Sequence, residues 1–132
     1  MNKYMQTLKD EIVNNRNKEY GSPFVAMVVK GNEIISIAKN ETYKEFDMTA
    51  HAEMLAIREA CRKLETKNLQ GCTIYTSVEP CGMCYNAIKL AKIDKIYFAC
   101  YEKDYFKAEN KKEAKEVEKE IMDRESMLEI LK

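Results

Sequence analysis

Two short runs in this chain carry residue types that together can hold a catalytic metal. His51-Ala52-Glu53 comes first, and Pro80-Cys81-Gly82-Met83-Cys84 follows some thirty residues later. One imidazole and two thiolates fill three corners of a tetrahedral Zn2+ and leave the fourth open, the mark of a catalytic rather than a structural zinc. Zinc lowers the pKa of a bound water to about 7, so hydroxide is available at neutral pH. Attack on an amidine-like carbon bearing an amino group then needs two proton movements. The water gives one up and the departing nitrogen receives one, and a single carboxylate beside the metal can carry both. Glu53 stands two residues from the His, is not needed as a ligand, and is the acid so placed. Taken singly the runs are weaker: the lone His could cap a helix, and Cys81-x-x-Cys84 could be a redox pair. An upstream H-x-E tied to a downstream E-P-C-x-x-C favours catalytic zinc over both.

The elements that must position these residues can be read from periodicity. Lys3 to Arg16 predicts a helix, with Tyr4, Leu8 and Ile12 on one stripe. Asn14 to Asn17 and Gly21-Ser22-Pro23 break it. Phe24 to Val29 reads as a strand, Lys30-Gly31-Asn32-Glu33 as a hairpin turn, and Glu33 to Lys39 as the return strand. A polar loop from Glu41 to Thr49 leads to a helix over about 50–64, for which Thr49 is the predicted N-cap. Cys72 to Val78 reads as a buried strand. Cys81 to Lys92 is the next helix, with Pro80 at its start and both cysteines on one face. Asp94 to Ala99 is a further strand. The order α-β-β-α-β-α-β predicts an opening hairpin followed by parallel crossovers. Two helix N-termini, one at His51 and one at Cys81, would converge on one metal, where their dipoles favour anionic ligands.

Composition narrows the class. The 132 residues, 45% hydrophobic and 33% charged, suit one domain over 1–132 with a real core. No apolar run approaches the roughly 18 residues that span a membrane, and Met1 to Asp10 lacks a signal-peptide core. The expected compartment is the cytoplasm. Lys plus Arg equal Asp plus Glu at 22 each, which removes the simplest argument for nucleic acid as a partner. Five cysteines without a secretory signal argue against a disulfide framework; Cys61, Cys72 and Cys100 read as small buried hydrophobes. The tail, about 102–132, holds eight basic and ten acidic residues, a net of −2. Glu113 to Ile121 and Glu125 to Leu131 read as helices. Val117, Ile121, Met122, Leu128 and Leu131 give them a thin apolar face toward the sheet edge and a charged, solvated face outward.

The paired spacing H-x-E…P-C-x-x-C is the signature of zinc-dependent base deaminases, and in these residues the chain resembles the cytidine deaminase-like superfamily. Asp47-Met48-Thr49-Ala50-His51-Ala52-Glu53 is similar to the D-P-T-A-H-A-E of the guanine deaminase and tRNA adenosine deaminase branches, with Met48 in place of the usual Pro. Tyr75 to Cys84 matches the same branches, and simple cytidine deaminases carry Cys at the position of His51. The resemblance covers about Ser22 to Tyr101. It implies an α/β fold, three layers α/β/α with a five-stranded mixed sheet, in a homodimer or larger homo-oligomer. It implies His51, Cys81 and Cys84 as zinc ligands and Glu53 as proton shuttle. It implies substrate contacts from Asn40 and from the backbone N–H of Ala52, and Phe24 as a wall for the base; as a strand aromatic Phe24 equally suits the core. The acidic grip that guanine deaminases place late in the chain has Glu102, Asp104 and Glu129 as candidates here. Tyr105 and Phe106 are candidates for a lid.

The expectation that follows is a zinc-dependent deaminase of a free nucleobase or small nucleoside, with guanine to xanthine as the leading reaction. Deamination of adenosine in the tRNA wobble loop is the alternative. It requires phosphate contacts from Lys and Arg, which a tail of net −2 does not favour. A cytosine or deoxycytidylate deaminase is a further alternative. A non-catalytic zinc scaffold is opposed by Glu53, for which a structural site has no use.

Overall fold

The fold is that of a computed structural model, which describes residues 1–106 and 115–131. Helix α1 (Lys3–Asn15) opens the chain, capped by the Asn2 side chain on the Tyr4 and Met5 N–H groups. Strands β1 (Val25–Lys30) and β2 (Glu33–Lys39) form the expected antiparallel hairpin. Its tight connection uses Gly31 at φ +62°, a backbone conformation costly for a residue with a Cβ. A short helix α2 (Thr42–Glu45) follows, then α3 (Ala52–Leu64), β3 (Cys72–Val78), α4 (Gly82–Leu90), β4 (Lys95–Cys100), α5 (Glu102–Tyr105) and α6 (Arg124–Leu131).

The sheet order is β2-β1-β3-β4, with β1 antiparallel to β3 and β3 parallel to β4 across α4. β1 is central, and its apolar residues are buried on both faces. Ala26 and Val28 pack with Ile74, Ala52, Ala56, Ala60 and Ile88 beneath α3 and α4. Val25, Met27 and Val29 pack with Tyr75 against Tyr4 and Leu8 of α1. The three-layer α/β/α arrangement is therefore built from the period-two pattern of a single strand. A bulge between Val28 and Val29 shifts the β2 register. Beside it, the buried Ser36 hydroxyl donates to the Ala56 carbonyl of α3 at 2.7 Å.

Several expectations need correction. The sheet has four strands among the described residues, not five. After β4 the chain turns at once into α5, whose start is fixed by Tyr101 N–H donating to Asp104 Oδ2 at 2.8 Å. β4 thus remains an edge strand. Residues 115–121 are not helical, and the first two positions of that expected helix, Glu113 and Ala114, lie outside the described residues. Glu116 and Glu120, four apart, would repel along a helix. Val117, Ile121, Met122 and Leu131 are exposed rather than packed on the sheet edge, as is Leu128 of α6. Cys72 is buried and Cys61 half-buried, as small hydrophobes in a core, but Cys100 on β4 is exposed. Among the described residues, no helix is long and apolar enough to cross a membrane.

Candidate active site

The long middle helix begins two residues later than its apolar pattern indicates. Its N-cap is His51, not Thr49. Thr49 is drawn into a turn of its own: its N–H and hydroxyl both donate to Asp47 Oδ1, at 2.8 and 2.7 Å. Those bonds hold the Asp47 carboxyl below its ordinary value. Cys81 is likewise the N-cap of α4, with Pro80 one position outside the helix. Caps are normally Ser, Thr, Asp or Asn, whose side chains bond the first free N–H groups. Neither His51 nor Cys81 makes such a bond; their side chains turn toward each other instead. Cys84, on the first turn of α4, completes the group.

The geometry fits zinc. His51 Nδ1 lies 3.6 Å from Cys81 Sγ and 3.5 Å from Cys84 Sγ. All three ligand atoms fall within 4.8 Å of one another. A tetrahedral Zn2+ with bonds of about 2.3 Å to sulfur and 2.0–2.1 Å to nitrogen sets S and N about 3.5 Å apart. The electrostatics agree. Burial pushes the Cys84 thiol far above the usual thiol range, and the charges of Glu53 and Cys81 push it further. A buried sulfur and a half-buried one beside a carboxylate make an electron-rich group that suits a cation.

Glu53 sits in the first turn of α3 and is only 8% exposed. Burial raises its carboxyl above the ordinary carboxylate value, while its own backbone N–H, the His51 ring and the Cys84 thiol pull it partly back. It opens on a cavity of about 230 Å3 shared with His51, Cys81, Ala52, Asn40 and Phe24. The expected metal ligands, shuttle and substrate contacts therefore meet at one place. The Ala52 N–H, at the first position of α3, has no partner within the helix and can meet a carbonyl group. Phe24 is half-buried and lines the cavity rather than the core.

The same cavity is lined by Val78, Glu79, Glu102 and Phe106. Of the three candidate acids in the tail, Glu102 alone lines it; Asp104 bonds the Tyr101 backbone, and Glu129 lies on the exposed α6. Phe106 stacks on Phe24 at 5.9 Å between ring centroids, and Tyr105 meets Phe24 edge-on at 5.0 Å. Both lid candidates thus touch the wall residue, one along the cavity and one behind it. Val78 and Glu79 escaped the reading of the sequence. Their position at the carboxyl end of a central strand, where α/β sheets bind ligands, was the available signal.

A three-layer α/β/α sheet with a His-Cys-Cys group between two helix N-termini defines a class of zinc site. The family described as "cytidine and deoxycytidylate deaminase zinc-binding region" matches residues 1–100, and the chain belongs to it. Its metal is Zn2+. The tRNA-specific adenosine deaminase of Aquifex aeolicus is 51% identical over 83 residues, 63% of this chain and 55% of that protein. The crystal structure of guanine deaminase from Bacillus subtilis superposes with a TM-score of 0.80 at 31% identity, covering 99% of this chain and 94% of that one. A tRNA:A34 deaminase structure superposes with a TM-score of 0.69 at 32% identity, covering 75% and 71%. The chain spans about half the length of the curated relatives it matches.

Proposed function

We propose that the chain is a single zinc-dependent hydrolytic deaminase domain acting on a free purine base, with guanine converted to xanthine and ammonia. The observation that carries the substrate class is the meeting of Glu102 and Phe106 with Asn40, Phe24 and Glu53 around one small cavity. Its volume of about 230 Å3 lies below the roughly 300–1,000 Å3 of sites for drug-sized ligands, which suits a single base. The guanine ring offers adjacent N–H donors, and the Glu102 carboxylate is an acceptor for them. Phe24 and Phe106 offer apolar faces for the ring. The likeness to guanine deaminase along nearly the whole chain supports the same reading.

Zn2+ held by His51, Cys81 and Cys84 supplies Lewis acidity to a water molecule. The chain's residues do the rest. Phe24 and Phe106 confine the ring, and Asn40 and the Ala52 N–H orient its polar edge. Glu53, kept above the ordinary carboxylate value by burial, takes a proton from the water. The water oxygen bonds to the ring carbon bearing the amino group. Glu53 then delivers the proton to the amino nitrogen, the carbon–nitrogen bond breaks and ammonia leaves; the proton still on the new oxygen passes to the adjacent ring nitrogen, giving the keto product with the carboxylate restored.

The test is ammonia release from guanine, guanosine, adenine, cytosine and deoxycytidylate by zinc-loaded protein. Guanine should be fastest by at least about tenfold, the scale of one well-placed hydrogen bond to a charged group. No turnover of guanine at full zinc occupancy would overturn the assignment. The 51% identity to the Aquifex aeolicus enzyme favours a second reading, deamination of adenosine in tRNA; inosine formation in labelled tRNA without base turnover would establish it. The proposal extends to a cytoplasmic protein and to a homodimer or larger homo-oligomer; exposed Tyr85 and Leu90 on α4 and Tyr97 on the edge strand support the association. Sedimentation as a monomer at working concentration would remove that part.

A further inference from the structure

Asn40 follows the last residue of β2, and its backbone N–H donates to the Phe24 carbonyl at 2.9 Å. The next residue, Glu41, donates its N–H to the Ala50 carbonyl at 2.9 Å, immediately before His51. The Asn40 backbone is thus tied to both sides of the cavity. Its side chain is equally constrained. Thr42, at the start of α2, gives two hydrogen bonds to Asn40 Oδ1: one from its backbone N–H at 2.9 Å and one from its hydroxyl at 3.0 Å.

The bond from the backbone N–H decides which end of the amide is which, and the hydroxyl then adds a second tether to that end. A backbone N–H can only donate, so the Asn40 atom it meets must be the amide oxygen and not the nitrogen. The oxygen has two lone pairs, and Thr42 uses both. The NH2 end is then the polar group that Asn40 offers to the cavity it lines with Glu53 and Phe24. Among the described residues no hydrogen bond consumes that NH2 group, and it is not among the buried polar atoms lacking a partner. It is therefore accessible. Thr42 itself does not line this cavity.

The geometry points to Thr42 as a positioning residue that locks the Asn40 amide as a hydrogen-bond donor, so that the site selects a base presenting a lone pair at that edge. An amide turned the other way would select an N–H on the base instead. It would also set the NH2 group against the Thr42 N–H and lose that bond, leaving only the hydroxyl, now as acceptor, to hold the amide. The lock thus sets which polarity of substrate edge is read, without Thr42 touching the substrate. This inference rests on the reading of the cavity as a base-binding site, but not on guanine as the base.

The test compares Thr42→Val, Thr42→Ser, Asn40→Ala and the double variant Asn40→Ala/Thr42→Val in the zinc-loaded protein. Each is assayed on whichever base the wild-type protein turns over fastest, so failure of guanine as substrate overturns the guanine assignment and leaves this comparison intact. Loss of the hydroxyl in Thr42→Val should raise KM by about three- to tenfold with a smaller change in kcat, the scale of one neutral hydrogen bond. Thr42→Ser, which keeps the hydroxyl, should return KM to within about twofold of wild type, because the same bond is retained. In the Asn40→Ala background Thr42→Val should add nothing, since a residue acting through Asn40 has no other route. A further reading needs no turnover. The 15N order parameter of the Asn40 side-chain amide should fall in Thr42→Val and recover in Thr42→Ser. An equal loss from Thr42→Val with and without Asn40, or an unchanged order parameter, would overturn the proposal.

Discussion

Glu53→Gln separates two consequences of burying one carboxylate beside a metal site. Glutamine has nearly the same shape and keeps a carbonyl oxygen, but it cannot take up and release a proton. Turnover should fall by at least about a hundredfold, the lower end of acid–base contributions. Zinc should remain at one equivalent, because His51, Cys81 and Cys84 are unchanged. Stability of the metal-free protein should move the other way. At 8% exposure the carboxyl stands above its ordinary value of 4.5, with burial as the largest cause. For an acid shifted upward, the folded state favours the protonated form. Wild type therefore keeps its full stability below pH 4.5 and loses it as pH rises through the raised value. Glu53→Gln carries no such penalty. The stability gap should be near zero at pH 4 and widen to a plateau above the raised value. Each unit of upward shift contributes about 1.4 kcal/mol to that gap, or roughly 4 °C in Tm for a chain of this size. The assays are thermal melts of the metal-free proteins from pH 4 to 8, zinc by mass spectrometry, and ammonia release. A variant with more than about a tenth of wild-type turnover would refute the shuttle role, for which acid–base catalysis is worth more. A gap that does not change with pH would refute the account of Glu53 burial.

Three further outcomes follow, two from the metal group and one from the turn before Phe24. Cys84→Ser should lose most of its zinc. In the wild-type protein zinc affinity should fall as pH is lowered from 8 to 6, because burial holds Cys84 as a thiol whose proton must leave on binding; chelator competition at several pH values measures the slope, and a flat profile would contradict the protonation of Cys84. A Cβ at Gly21 would run into the backbone carbonyl of Asn15 and crowd that of Lys18, so Gly21→Ala should cost about 1–3 kcal/mol and raise KM through Phe24, whose N–H is held by Ser22 at 3.0 Å. Denaturant melts and steady-state kinetics check both, and wild-type stability in Gly21→Ala would show that the turn relaxes freely.

The order of the main elements was legible because each carries its own periodicity. The short, β-branched apolar run of β1 read as a strand and the Gly31 turn as its return, while its burial on both faces came only with the packed layers. The metal group was legible because tetrahedral zinc demands few residue types at short, fixed spacings. The helix start near His51 was misplaced for a physical reason. Thr49 has the better cap chemistry, but it satisfies Asp47, and the metal geometry needs His51 at the boundary. The fifth strand was expected from a resemblance that ended near Tyr101, and the packed tail from the thin apolar face of its expected helices. The side-chain bonds of α5 and the charge pattern after it overrode that expectation.

What the sequence determined by itself was therefore the chemistry of the centre: three ligands, one carboxylate, and the elements that present them. Ligand identity is a property of residue type and local spacing, and both are written along the chain. The tertiary structure decided which distant residues face that centre. Glu102 and Phe106 reach the cavity because α5 turns back across Phe24, and the Asn40 amide is oriented because α2 sets Thr42 against its oxygen. Such placements depend on how the chain returns after β4 and β2, and no local periodicity encodes a return path. The reactive group was thus readable one residue at a time, whereas the walls of the cavity around it exist only once the layers have packed.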